Sequence, residues 1–482
     1  MNINQKKCYG CAVWAVLQFV AGLQGFAADP LPPRTQAAVY IPAAGKGMSH
    51  PETRRTTVEK LRQAEEDRRA KVRAWGQQRG LPLREVRPDG GGRELMDVEG
   101  EQPLYYATCN ANAGISSGAN KLWATPYGVN GSSGIIGLWD GSSARTTHRE
   151  FGGRVTSMDG STATYDHSTH VAGTLCASGV VASAKGMSPT ATIINYYDAA
   201  SHPGGDGTYR GGYDTINFHA LAKNVVTIGA VGDAVSGGVR SLAGTTMQSF
   251  SSWGPTDDGR IKPDLVANGA SLYSTSYSSG SAYTTMSGTS MATPSAAGTA
   301  NLLVNLFSLL FTNQYMRAST LKALLIHTAD DLGLVGPDYQ YGWGLINATN
   351  AATLLCAYKT SSGARQITED HLSTNRTAVQ VSFVWDGVSP IKATLCWTDP
   401  AGASATTGDS RTARLVNNLD LRVIDPSGTI YQPWVMPFVG SWTTNAMAAA
   451  ATTGSNYTDN VEQVLVASPG VAGTYTARVT YA

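Results

Sequence analysis

The sequence predicts an α/β domain, built as a parallel sheet flanked by helices, followed by an all-β domain. Residues 134–140 and 191–197 have the continuous apolar character of buried parallel strands. After about residue 366, apolar and polar residues alternate and turn residues recur between the segments, which is typical of short antiparallel strands. The chain of 482 residues is long enough for two or three such folded regions.

The composition excludes some classes of partner. Charged residues make up 15% of the chain and the formal net charge is +1, so nothing indicates a nucleic acid or an acidic polymer as a partner. No apolar run after the first thirty residues is long enough to span a membrane. We therefore expect no nucleic-acid binding and, once the amino-terminal segment is removed, no membrane association.

The first 27 residues have the composition of a secretory signal. Lys6 and Lys7 provide the positive start, residues 11–25 form a short apolar core, and small residues at 25–27 offer a cleavage point. An uncleaved membrane anchor needs a longer apolar core than this. The segment 1–27 therefore predicts a secreted or periplasmic protein.

Residues 28–104 differ in character from the rest of the chain. Residues 56–59 form a capping box that starts one charged amphipathic helix with a thin apolar stripe. Stretches rich in proline and small residues precede this helix, and glycines at 90–92 form a further loose link. A propeptide-like segment and a solvated spacer are both compatible with this composition.

Four cysteines remain after the signal, Cys109, Cys176, Cys356 and Cys396. An even number in an exported protein permits disulfides. Cys176 falls on a predicted helix and Cys356 in a run of alanine and leucine, so buried free thiols are equally compatible with those two. The pairing cannot be derived from spacing.

Residues 288–294 read GTSMATP and precede a long apolar run that ends at residue 311. Proline is typical of a first helical turn, so a buried helix is predicted to start near Thr293, with Ser290 at its N-terminus. Free backbone N–H groups and the helix dipole favour negative charge there. Such charge develops when a serine hydroxyl attacks a carbonyl group. Taken alone, the stretch is equally compatible with a small-residue helix cap.

Two upstream segments supply a candidate base and a candidate acid. His170 lies in residues 166–174, DHSTHVAGT, which open a predicted helix among small residues. Asp140 ends the apolar strand 134–140, at the carboxyl edge where α/β sheets keep their sites. The structural alternatives are a core histidine and a turn-forming aspartate. The presence of Asp140, His170 and Ser290 together favours a catalytic triad over these alternatives.

The order Asp, His, Ser along the chain differs from the orders in chymotrypsin and the α/β-hydrolases. With GTSMATP and HSTHVAG, it resembles the subtilisin-like serine proteases (subtilases), over roughly residues 105–355. The resemblance implies hydrolysis of protein or peptide substrates through an acyl-enzyme, with Ser290 as nucleophile, His170 as base and Asp140 as its orienting acid. It requires no metal or cofactor for the chemistry, and we expect a monomer.

One interval departs from the family pattern. His170 and Ser290 are separated by 120 positions, fewer than is usual for subtilases, and residues 198–223 are mostly loop-like. The family's second oxyanion donor, an asparagine side chain, belongs to this interval, where Gly205 or Asp206 takes its place. Only the backbone N–H of Ser290 can be assigned as an oxyanion donor. A shortened active enzyme, a degenerate pseudoprotease and a truncated gene model are all compatible with the sequence.

Residues 362–482 predict a β-sandwich or jelly roll, with strand-like segments at 379–385, 392–397, 419–424 and 474–480. The motifs around residues 396–400, 415–421 and 459–462 resemble the appended β-domain of large alkaline subtilases. Four acidic residues there have the oxygen ligands that calcium prefers, namely Asp399, Asp420, Asp459 and Glu462. Turn capping is the alternative role, since no tight ligand spacing is visible.

The favoured function is therefore a secreted serine endopeptidase. The rival class is a secreted binding protein built on a decayed protease fold, in which the β-domain carries the function. An esterase that uses the same triad is a third alternative.

Overall fold

The protein is described by a computed structural model, which covers residues 11–17, 70–81, 84–86, 92–99, 102–108, 110–132, 134–160, 164–197, 209–216, 218–360, 367–373, 375–403, 409–437 and 442–482. These ranges leave out most of the expected signal, the capping box at 56–59, Cys109, Gly205 and Asp206. The expectations for them stay predictions.

The helices, in chain order, are α1 (70–78), α2 (Asn110–Ser117), α3 (Ala119–Leu122), α4 (Asp166–Cys176), α5 (Thr289–Leu310), α6 (Ala318–Thr328), α7 (Ala348–Thr360) and α8 (Thr444–Met447). The strands are β1 (Cys11–Leu17), β2 (Arg84–Val86), β3 (Gly92–Glu99), β4 (Gln102–Thr108), β5 (Ile135–Asp140), β6 (Val155–Ser157), β7 (Thr192–Tyr197), β8 (Ile228–Val231), β9 (Val235–Ser236), β10 (Val239–Arg240), β11 (Leu265–Asn268), β12 (Leu272–Thr275), β13 (Tyr283–Met286), β14 (Ile367–Leu372), β15 (Ala378–Trp385), β16 (Ile391–Cys396), β17 (Leu419–Ile424), β18 (Ile430–Tyr431), β19 (Trp434–Val435), β20 (Thr452–Thr453), β21 (Val461–Val466) and β22 (Gly473–Tyr481).

The parallel strands form two separate groups within the described ranges. Strands β5, β7 and β6 pair in that order, and β8 pairs with β11. The described parts of residues 198–223 contain short 3-10 turns and no strand. Within the described residues the interval therefore adds no strand to β5 or β8, and the expected shortening of the sheet stays a prediction.

The expectation that residues 134–140 form a fully buried strand is wrong for one face. Leu138 is buried, but Ile135 is 46% exposed and Trp139 is 54% exposed. The face of β5 that carries Ile135 and Trp139 is exposed to solvent, unlike the face of a parallel sheet that helices cover on both sides. Trp139 instead stacks on Tyr196 of β7, with ring centroids 4.9 Å apart.

Helices α4 and α5 pack against each other at the centre of the α/β region. Gly298 lies at their closest approach, where an added Cβ would be 3.3 Å from Leu175 O and 2.6 Å from Met187 Cβ. A glycine at this position therefore allows the close packing. Helix α5 also packs on β8 and β11, and α4 contacts β7, so the two helices together connect the two groups of parallel strands.

The residues between the amino terminus and α2 contain more strand than the sequence suggested. Strands β2, β3 and β4 form an antiparallel sheet. The glycines at 90–92, predicted as a loose link, precede or begin β3, and Gly92 pairs with Val86.

The carboxyl-terminal region contains two antiparallel sheets of four strands, β14-β1-β16-β21 and β15-β22-β17-β18. Both contribute to one apolar cluster, which includes Leu395 and Val464 from the first sheet and Val381, Leu421 and Tyr475 from the second. The predicted strand at 419–424 is confirmed at both ends. Strand β1, which belongs to the expected signal segment, pairs with β14 and β16.

Buried ion pairs join the α/β region to the carboxyl-terminal strands. Lys223 donates to Asp399, to Pro400 O at 2.7 Å and to Arg414 O at 2.6 Å. The end of the shortened interval is therefore attached to the loop that follows β16. Asn224 Nδ2 adds a bond of 2.9 Å to Asp399 O.

A second buried cluster fixes the entry to β8. The Lys262 and Lys322 ammonium groups lie 2.5 Å and 2.8 Å from oxygens of Asp264, and both lysines donate to Val225 O. Burial alone raises the pKa of the Asp264 carboxyl, but the two lysine charges outweigh this and hold the pKa below its usual range. Burial lowers the pKa of Lys262 to about 8 against the opposing charge of Asp264.

Cys176, Cys356 and Cys396 carry free thiols, and Cys176 and Cys396 are buried. Burial raises the pKa of both thiols to about 12, so neither thiolate forms readily near neutral pH. None of the helices in the described ranges combines the length and the apolar character needed to cross a membrane.

We expect Asp264→Asn to lower the free energy of unfolding by about 3–5 kcal/mol, because two buried ammonium groups lose their counter-charge. Urea denaturation measures the loss. The matched control is Glu369→Gln, which removes an ion pair of 3.3 Å to the exposed Arg317 and should cost at most about 1 kcal/mol. Equal losses in the two variants would contradict the stabilising role of the buried cluster.

Candidate active site

The Asp140 carboxylate, at the end of β5, binds the imidazole of His167. His167 Nδ1 lies 2.9 Å from Asp140 Oδ1 and 2.8 Å from Oδ2. Gly141 N donates to Asp140 Oδ1 at 2.7 Å, which orients the carboxylate. The strand thus ends in an oriented carboxylate at its carboxyl edge, as the sequence predicted for Asp140.

This contact determines the tautomer of His167. A carboxylate accepts hydrogen bonds, so Nδ1 carries the proton and Nε2 of the neutral ring is left with a free lone pair. The hydrogen bond to Asp140 raises the pKa of His167 above its ordinary value of 6.5, against the opposing effect of burial. The side chain is 48% exposed, so Nε2 can exchange a proton with a bound molecule.

The prediction that Asp140 orients His170 is wrong, because the structure does not bring these two side chains together. His170 is fully buried, and its Nε2 bonds to Leu272 O of β12 at 2.8 Å. Burial lowers its pKa to about 4, so the ring is neutral at ordinary pH. A ring enclosed in the core cannot accept the hydroxyl proton of Ser290 when the serine attacks a substrate.

Local sequence contained a signal that distinguishes the two histidines. His167 lies in the first turn of α4, between the polar residues Asp166 and Ser168, where a side chain reaches solvent. His170 is followed by Val171 and Ala172, which pack into the core. The polar neighbours favour His167 as the accessible imidazole, and the apolar neighbours favour His170 as a core residue.

Ser290 lies in the first turn of α5, partly exposed. Gly288 O accepts bonds from Met291 N at 2.9 Å and from Ala292 N at 3.3 Å. The N–H of Ser290 lies before the first N–H group that bonds within the helix, so it has no acceptor there. Within the described residues Ser290 Oγ makes no hydrogen bond to His167, and such contacts commonly tighten only when substrate binds.

The predicted start of this helix near Thr293 is wrong. Helix α5 begins at Thr289, and Pro294 lies inside it. Proline at that position has no N–H to donate to the carbonyl of Ser290, so one early intrahelical bond is lost. The placement of Ser290 at the helix N-terminus is nevertheless confirmed.

The four calcium candidates have different surroundings. Asp399 does not fit a metal site, because Lys223 and the backbone N–H groups of Val416 and Asn417 occupy its oxygens. Asp459 accepts bonds from Ile261 N at 2.9 Å and from Asn456 Nδ2 at 3.1 Å. In the described ranges no group of three or more acidic, histidine or cysteine side chains could hold a metal ion.

Asp420 and Glu462 differ from the other two because each has a buried oxygen without a partner, Asp420 Oδ1 and Glu462 Oε1. The amide oxygen of Asn418 is also buried and unpartnered. Leu421 N donates to the other oxygen of Glu462 at 2.6 Å. Burial, together with the charge of Asp420, raises the pKa of Glu462 well above its ordinary value.

We expect Asp140→Asn to lower the pKa of His167 towards 6.5, because the charged acceptor that favours the imidazolium is removed. The stability gained from the raised pKa is present below pH 6.5 and is lost as the pH rises through the folded-state pKa. NMR titration of the histidine rings measures both effects, and His170 should show no titration above about pH 5. A His170 signal that titrates near 6.5 and responds to Asp140→Asn would contradict the assignment.

Several known proteases resemble parts of this chain. The model of the Subtilase family matches residues 204–344, a segment that contains Ser290 but neither Asp140 nor His167. Serine protease AprX of Bacillus subtilis (strain 168) is 36% identical over 149 residues, which cover 28% of this chain and 31% of AprX.

Subtilisin DY of Bacillus licheniformis is 29% identical over 276 residues, which cover 48% of this chain and 95% of subtilisin DY. The chain therefore spans nearly the whole of one relative but less than a third of AprX. The solved structure of the Prenylagaramide maturation protease PagA gives a TM-score of 0.38 at 19% identity, covering 49% of this chain and 98% of PagA, a likeness too distant to bear on the fold. The family model and the named relatives therefore make this chain similar to the subtilisin-like serine proteases.

Proposed function

We propose that the protein is a serine peptidase whose triad is Asp140, His167 and Ser290. The observation that carries this proposal is the bond from His167 Nδ1 to Asp140, which leaves Nε2 free on a half-exposed ring. The likeness to the Subtilase family model and to subtilisin DY supports the reaction class. His167 replaces His170 as the base, because His170 is buried and bonds to Leu272 O.

In the proposed reaction Ser290 Oγ attacks the peptide carbonyl and His167 Nε2 takes the hydroxyl proton. The C–N bond of the tetrahedral intermediate then breaks, and the same proton passes from His167 to the leaving amine. Water repeats the sequence on the acyl-enzyme and releases the acid. Asp140 holds the tautomer and stabilises the imidazolium that forms in each step.

Negative charge that develops on the substrate oxygen needs donors already in place. The backbone N–H of Ser290, at the N-terminus of α5, supplies one donor, and the helix dipole adds a favourable field. A side-chain donor is not assigned, because Gly205 and Asp206 lie outside the described residues. In subtilisin, removal of one oxyanion donor lowers the rate by about 10²–10³-fold, so a site with the backbone donor alone would be slower but still active.

The wider function follows from the same assignment. We infer an endopeptidase that acts on proteins or peptides, because the proposed base is a half-exposed ring that a substrate chain can reach. The signal-like residues 1–27 support export to the periplasm or the exterior. The two carboxyl-terminal sheets, which share one apolar cluster, support an appended β-sandwich domain.

We expect Ser290→Ala to abolish covalent labelling by a fluorophosphonate probe, and His167→Ala to lower peptide hydrolysis on the order of 10⁴-fold or more. His371→Ala is the matched control, since that exposed histidine lies 3.8 Å from Asp370 and is remote in sequence from the site. Mass spectrometry of the labelled peptide and a fluorogenic peptide assay measure the two effects. Folded wild-type protein that neither labels nor hydrolyses peptides would instead favour the binding-protein alternative.

We also propose a structural calcium site in the carboxyl-terminal region. This proposal rests on three buried oxygens that have no hydrogen-bond partner, Asn418 Oδ1, Asp420 Oδ1 and Glu462 Oε1. Oxygen ligands of this kind suit calcium, and a bound cation would offset the cost of burying the Glu462 carboxylate. The ion would stabilise the contact between β17 and β21 and would take no part in catalysis.

We expect a chelator to lower the melting temperature of the wild-type protein and to leave that of Glu462→Gln unchanged. The variant removes the charge that favours the cation while it keeps the size of the side chain. Asp386→Asn is the control, because that exposed carboxylate caps a turn through Ser389. A wild-type melting temperature that does not respond to chelator or to added calcium contradicts the site.

A further inference from the structure

Helix α4, which carries His167, is fastened to strand β12 by buried hydrogen bonds. His170 Nε2 donates to Leu272 O at 2.8 Å. Ser274 Oγ donates back to His170 O at 3.1 Å, and Thr275 Oγ1 donates to Thr169 O at 2.6 Å. We call this set of bonds, with its five residues, the α4–β12 contact.

The contact continues to the start of α4 and is unusually close. Asp166 Oδ1 accepts from Ser276 Oγ at 2.5 Å and from Tyr277 N at 3.0 Å. Gly173, one turn further along the helix, has no side chain, and the space where a Cβ would lie is taken by the hydroxyl groups of Ser274 and Thr275. The helix therefore has little freedom to move relative to β12.

Strand β12 is in turn joined to the segment that carries Ser290. Leu272, the acceptor of the His170 bond, pairs with Met286 of β13. Ser271 N donates to Ser287 Oγ at 2.7 Å, and Gly288 N donates to Gly269 O at 2.8 Å. Two residues later comes Ser290, so a short series of bonds leads from α4 to the serine.

We propose that His170 is a positioning residue, which holds the first turn of α4 at the distance from β12 and β13 at which His167 can serve Ser290. This inference rests on the proposed function, because it assigns a purpose to the spacing between His167 and Ser290. His170 acts through the backbone of Leu272 and touches neither substrate nor reacting atoms.

An imidazole suits this role for a physical reason. Leu272 O is a buried acceptor, and it needs a donor from a side chain that also fills the space between the helix and the strand. Because a carbonyl only accepts, Nε2 of His170 carries the proton. Burial keeps this ring neutral, with a pKa of about 4, so the bond persists through the pH range in which His167 titrates.

The test compares His170→Phe, which keeps a ring but removes the donor, with His170→Gln, which restores an N–H donor. His327→Phe is the matched control, since His327 is also fully buried and bonds through Nδ1 to Thr394 Oγ1 at 2.9 Å, outside the α4–β12 contact. Each variant is assayed well below its melting temperature for the rate constant of fluorophosphonate labelling and for the pKa of His167 by NMR.

We expect His170→Phe to slow labelling about tenfold or more, since small displacements of reacting groups carry costs of this order, and to move the pKa of His167 towards 6.5. His170→Gln should recover part of both effects, and His327→Phe should show neither. A folded His170→Phe that labels at the wild-type rate, with an unchanged His167 pKa, overturns the proposal.

Two further measurements cover the cases in which a variant does not fold or the serine does not label. If His170→Phe does not fold, Ser274→Ala and Thr275→Val weaken the same contact from the strand side, and unchanged labelling and titration in both variants overturn the proposal. If wild-type Ser290 does not label, the proposed function fails. The pKa of His167 then still decides whether His170 positions it, because that measurement needs no catalytic activity.

Discussion

The hydrogen bond between Asp140 and His167 determines which chemistry the α/β region can perform. It joins the end of strand β5 to the first turn of helix α4, and it fixes the proton on Nδ1 of the ring. The ring remains half-exposed, so its other nitrogen is free to act on a bound molecule. Without this bond the region would contain a partly exposed serine at a helix N-terminus but no oriented base, and a helix N-terminus by itself only favours negative charge.

Two neighbouring histidines of one helix therefore have opposite roles because of their burial. His167 is oriented by a carboxylate at the surface, which raises its pKa. His170 is enclosed between α4 and β12, where burial lowers its pKa to about 4. One ring can change its charge near neutral pH, and the other remains a neutral hydrogen-bond donor that fixes the helix.

The same helix lies beside the parallel strands, which form two groups in the described residues. Strand β5 pairs with β7 on one side, and in the described residues no strand connects β5 to β8. Helix α5 packs on β8 and β11 and also on α4, so the site is held mainly by helix packing and by the β12–β13 hairpin. Lys223 and the Lys262–Asp264–Lys322 cluster anchor the chain where the shortened interval ends.

The sequence was sufficient for the order of the motifs, for Asp140 at a strand end and for Ser290 at a helix N-terminus. The alternation of apolar and polar residues at 419–424 was also sufficient to predict a strand there. The choice of histidine failed because both residues fit the same short motif and their neighbours in the sequence were not weighed. The packing of β12 against α4 buries His170 and leaves His167 half-exposed. The exposed face of β5 was missed for a similar reason, since an apolar run indicates a strand but not whether a neighbour covers it.

The most direct test of the account is a crystal structure of the protein after phosphonylation at Ser290. The account predicts His167 Nε2 within about 3.2 Å of the Ser290 oxygen or of the bound phosphonyl group, with Nδ1 still on Asp140 and His170 still on Leu272 O. A structure in which His170 has moved to the modified serine, or in which His167 points away from it, would contradict the central claim.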